Sequence, residues 1–89
     1  MKILDLITKA KDMSGMSLKD IAATLHVTPS TLTAWKQGSY RPDSTQIIFL
    51  AEKAHLPAIE TLAEIECETH PEMAHFWKVA VSQLRQNQG

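Results

Sequence analysis

The side chains best suited to bind a metal are His26, His55, His70 and His75, with Cys67 three residues before His70. Glu72 and His75 share the i, i+3 spacing that two ligands on one helix use. A zinc-type site needs three or four ligands converging, and Pro71 separates these residues by a helix break. There is no glycine-rich phosphate loop, nucleophile elbow or catalytic triad pattern. A chain of 89 residues buries only about 60% of its unfolded surface, which leaves little volume for a substrate cleft. The expectation is a protein without metal, cofactor or small-molecule ligand, and not an enzyme.

The chemistry that remains is hydrogen bonding along residues 29–37, Pro-Ser-Thr-Leu-Thr-Ala-Trp-Lys-Gln. At about 100° per residue from Pro29, the residues Thr31, Leu32 and Trp35 fall between roughly 200° and 300° and form a buried side. Pro29, Ser30, Thr33, Ala34 and Gln37 lie opposite. A solvated helix face normally carries Glu and Lys, whereas this one is small and uncharged. Small hydroxyl residues let a helix backbone approach another surface closely, as entry into a DNA major groove requires.

The elements that must hold this face are all helical. Ile3, Leu4, Leu6, Ile7, Ala10 and Met13 recur at helical intervals, and Gly15 stops that first helix. Ser17 followed by Asp20 starts a second, with Leu18, Ile21, Ala22 and Leu25 apolar. Thr28-Pro29 caps the third, which Gly38 ends. Asp43 or Ser44 begins a fourth that buries Ile47, Ile48, Leu50, Ala51 and Ala54. A fifth runs from about Pro57 to Cys67 and buries Ile59, Leu62, Ala63 and Ile65 or some subset. A sixth begins at Pro71, with Met73, Phe76, Trp77, Ala80, Val81 and Leu84 apolar. The lone Cys67 excludes an internal disulfide. No segment is long enough to be a signal peptide or membrane span, so a soluble cytoplasmic protein is expected. Net charge is −1, with seven Lys/Arg against five Asp/Glu in residues 1–53 and two against five in 54–89. This basic front and acidic back suit a domain that presents one surface to an anion.

The second and third helices are separated only by His26-Val27-Thr28, so their axes must cross steeply, with Val27 dropped between them. Ser17, Ile21-Ala22, Leu25, Val27-Thr28, Trp35, Gly38 and Pro42 resemble the helix-turn-helix of the lambdoid Cro and repressor proteins, the XRE-type family. The resemblance spans residues 1–56, and the whole chain looks like small Cro-like regulators of phage and prophage. It implies an all-α, compact bundle of five to six helices of the lambda-repressor-like DNA-binding type, with a C-terminal helix after the core. It also implies a sequence-specific regulator, a repressor, whose third helix enters the major groove of a double-stranded DNA operator. On that docking mode Ser30, Thr33 and Ala34, with Pro29 and Gln37 at the margins, face base edges. Lys19, Thr28, Lys36, Tyr40 and Arg41 surround them and face phosphates. The chain departs from the family pattern at Leu18, where glutamine is usual, at Lys36, where glutamate is usual, and at His26, where glycine is usual. If His26 takes up the glycine's positive φ, it is one of the few other residue types enriched there.

Residues 1–56 are thus read as the helix-turn-helix core, with 17–38 as its motif. Residues 57–89 complete that core. One such face discriminates poorly, and two copies on a dyad-symmetric operator would repair this. The last helix either packs across the domain or supplies that homodimer's contact through Met73, Phe76, Trp77, Ala80 and Leu84. The rival reading is a protein-interaction module, an antitoxin or anti-repressor, with DNA binding secondary.

Overall fold

The computed structural model describes residues 1–88. Six α-helices follow one another: α1 Ile3–Ser14, α2 Leu18–Thr24, α3 Pro29–Gln37, α4 Ser44–Lys53, α5 Ala58–Thr69 and α6 Ala74–Gln88. A 3₁₀ turn over Pro71–Met73 leads into α6. No strand occurs among the described residues. The all-α class read from the sequence holds, and none of these helices is long and apolar enough to cross a membrane.

The starts of the inner helices follow from local chemistry. Ser17 and Asp20 form a reciprocal capping box on α2, and Asp43 and Gln46 form another on α4. Each box satisfies two backbone N–H groups that a helix start otherwise leaves unpaired. Thr28 caps α3 through its side chain, and Pro29 occupies the first turn, where its missing N–H costs nothing.

Leu6, Ile7 and Ala10 of α1, Ile21 and Ala22 of α2, Leu32 and Trp35 of α3, Ile47 and Leu50 of α4 with Ala54 just after it, and Leu62 and Ile65 of α5 form one core. α1 packs on α3 and α4, α2 on α3, and α5 on α4, while α6 lies outermost against α5. The radius of gyration is 13.5 Å, against about 12 Å for a compact chain of this length.

Several details differ from the sequence reading. Ile59 is 43% exposed while Thr61 is 3% exposed: Thr61, Leu62 and Ile65 share one face of α5, and no neighbouring element covers Ile59 as fully. Leu4 and Met13 are exposed at the edges of the α1 stripe, and Ile48 is half-buried. The sixth α-helix starts at Ala74 rather than Pro71, since a 3₁₀ bond from the Met73 N–H to the His70 carbonyl (2.9 Å) tightens the reversal. Of the apolar positions near and on α6, Ala74, Trp77 and Val81 are half-buried, and Met73, Phe76, Ala80 and Leu84 remain exposed.

Candidate nucleic-acid interface

The orientation of α3 is set from behind. Leu32 is 1% exposed and Trp35 4%, so the helix cannot rotate without pulling its two largest apolar side chains from the core. The corner before it is equally constrained. The His26 N–H donates to the Ala23 carbonyl (3.1 Å) and the Val27 N–H to the Ala22 carbonyl (2.9 Å). That pair of bonds is a Schellman ending, whose C′ residue must be left-handed. His26 is that residue, with φ 59°, as the family's usual glycine position required. Val27 is half-buried and packs against the core, which fixes the angle between α2 and α3.

Turned outward are Pro29, Ser30, Thr33 and Gln37, all exposed. Ala34 is half-buried and marks the margin of the face rather than its centre. The hydroxyls are organised among themselves. Thr28 Oγ1 lies 2.8 Å from Ser30 Oγ and 3.1 Å from Thr31 Oγ1, and accepts from the Thr31 N–H at 3.3 Å. The Thr33 hydroxyl donates to the Pro29 carbonyl at 3.3 Å. Thr31, read as part of the buried side, is half-buried and joins this network through its hydroxyl.

Cations and a tyrosine flank the face. Lys36 is half-buried, Arg41 is exposed and Tyr40 is 71% exposed. Lys36, Gln37, Tyr40 and Arg41 meet in one open groove of about 560 Å³ at the C-terminal end of α3. Thr28 lies at the opposite end of α3 and Lys19 on α2, so these two do not line that groove. Among the described residues, no carboxylate comes within ion-pair distance of Lys19, Lys36 or Arg41. Sequence reasoning missed Lys2, which lines the same groove. No local signal could have found it, because only the tertiary packing of α1 on α3 brings it there.

Glu66 and Glu68 of α5 also line the groove beside Lys36 and Arg41, and further acidic residues gather on the other side of α5. Glu60 and Glu64 of α5 line a second groove of about 590 Å³ against Trp77, Lys78 and Arg85 of α6. Arg85 Nε donates to Glu60 Oε1 at 2.8 Å, and this bond holds the Glu60 carboxyl below its ordinary value. Half-buried Cys67 points its thiol toward the Ala74 carbonyl at 3.9 Å. No three metal-ligating side chains converge among the described residues.

The family model described as helix-turn-helix matches residues 7–60, a span from within α1 into the start of α5. No curated protein and no solved structure matches the chain significantly.

Proposed function

The chain belongs to the XRE-type helix-turn-helix family, a family of DNA-binding regulators, and from that premise we propose that it is a sequence-specific repressor resembling the Cro-like proteins of phage. It acts in the cytoplasm as a homodimer on a dyad-symmetric double-stranded operator, with residues 1–56 as the DNA-binding core and 57–89 as the part that completes that core and joins two copies. α3 enters the major groove with Ser30 and Thr33 toward the base edges and Pro29, Ala34 and Gln37 at the margins. Lys19, Thr28, Lys36, Tyr40 and Arg41 hold the flanking phosphates.

The observation that carries this reading is a contrast on one surface. The outward face of α3 is exposed and uncharged, while unpaired Lys36 and Arg41 stand beside it. A face without a long side chain at its centre lets the helix backbone reach the groove floor, and the flanking cations supply the sequence-independent attraction.

The homodimer is supported by the exposed apolar edge of α6. Phe76 is 63% exposed, Met73 43% and Leu84 36%, with Ala80 between them. A two-fold axis through this edge would cover it on both copies at once.

Selection of bound duplexes from a random pool, followed by sedimentation of the protein alone, tests the proposal. A pseudo-palindromic consensus and a dimer are expected. A monomer that retains no sequence contradicts it and favours the protein-interaction reading.

A further inference from the structure

The hydroxyl geometry of α3 carries a statement about which bases it reads, resting on the proposal that this face meets base edges. A free threonine hydroxyl both donates and accepts, so it distinguishes bases poorly. Thr33 is not free in this sense. Its hydroxyl turns back toward the Pro29 carbonyl at 3.3 Å, a geometry open to threonine in a helix that favours donation into the helix over donation outward. What remains outward is the acceptor side of its oxygen and its γ-methyl.

An acceptor beside a methyl complements one base pair best in the major groove. A·T offers a donor, the adenine N6 amino group, and an apolar surface, the thymine C5-methyl. Against G·C the same oxygen meets the guanine N7 and O6 acceptors or, if shifted, the cytosine amino group, with no methyl for the threonine to cover. The rest of the face does not offset this, for it holds no arginine or lysine at its centre to take guanine. We infer that Thr33 reads an A·T pair at one defined position of each operator half-site, its methyl on thymine and its oxygen accepting from adenine N6.

The test uses the full chain and an operator recovered from a random duplex pool. Each thymine is replaced in turn by uracil, which removes only the C5-methyl. One position per half-site is expected to weaken wild-type binding about four-fold, the ~0.8 kcal/mol of one buried methyl converted at ~1.4 kcal/mol per tenfold. Thr33→Ser keeps the hydroxyl and loses the methyl, so it should bind thymine and uracil operators equally at that position. Thr33→Val keeps the methyl, so it should retain the preference for thymine over uracil while losing the wild type's sensitivity to replacing the opposite adenine by purine, which lacks the 6-amino group. Uracil tolerated at every position, or a G·C pair selected where the Thr33 variants alter the consensus, overturns the inference alone. A pool from which no sequence is retained overturns the DNA reading, and this inference falls with it. The uracil scan on the wild-type protein needs no variant, so a misfolded substitution cannot mask the answer.

Discussion

His26 shows most directly how a single residue is bound to the fold. The corner between α2 and α3 needs a left-handed residue, and His26 provides it at φ 59°. His26→Gly removes the steric cost of that conformation but frees the unfolded chain. It is expected to be neutral or to stabilise by up to ~1 kcal/mol in urea denaturation. A clear loss would mean that the imidazole ring holds a contact of its own. The position was legible because Leu25, Val27 and Thr28-Pro29 bracket it in sequence. His55 takes the same conformation at φ 58° and was not legible. Its N–H donates to the Glu52 carbonyl (3.1 Å) and the Leu56 N–H to the Ala51 carbonyl (2.9 Å), so α4 ends in the same Schellman pattern. "His-Leu-Pro" announces that a helix stops there but not how. If Arg41 holds a phosphate as proposed, Arg41→Ala should weaken binding to every duplex alike and flatten the log–log salt slope by about one unit per protomer. A loss confined to one sequence would move Arg41 from the phosphates to a base.

Helix starts were legible where a side chain closes a bond with its neighbours, as Ser17, Thr28 and Asp43 do. Faces were legible where the apolar stripe is narrow, as with Leu32 and Trp35 on α3. They were less so on α5, whose apolar residues nearly encircle it. There the packing partners decide, and they bury Thr61 rather than Ile59. The docking of α6 depends on tertiary contacts that periodicity cannot supply, among them the Arg85–Glu60 pair at 2.8 Å. Glu60 is depressed in the folded protein, so the pair's support is present at neutral pH and is lost as pH falls through that lowered value. In Arg85→Ala the carboxyl titration of Glu60, followed by NMR, should move upward to the ordinary glutamate range. An unchanged midpoint would show that the guanidinium does not hold it.

Across the whole molecule, the basic and acidic halves of the sequence separate only in part. Lys36 and Arg41 make no ion pair among the described residues beside the uncharged face of α3, although Glu66 and Glu68 line the same groove, while Glu60 and Glu64 line another between α5 and α6. A net charge of −1 therefore does not argue against an anionic partner, because distribution governs encounter. The placement of the groove residues Lys36, Gln37, Tyr40 and Arg41 was legible from their nearness in sequence, but that of Lys2 was not. If α6 joins two copies, Phe76→Asp places charges at the two-fold contact. It should sediment as a monomer with unchanged helicity and lose about 10²-fold or more in operator affinity, as expected when two linked sites become one. A variant that still sediments as a dimer would place the interface elsewhere.

Titrating the protein against a random duplex pool at several salt concentrations shows whether α3 and its flanking cations bind duplex DNA. With the roughly three or four phosphates that Lys19, Lys36, Arg41 and Lys2 can neutralise per protomer, log affinity should fall against log salt with a slope of about −3 to −4 per protomer. No binding even at low salt, or binding that salt leaves unchanged, would contradict that mode of binding.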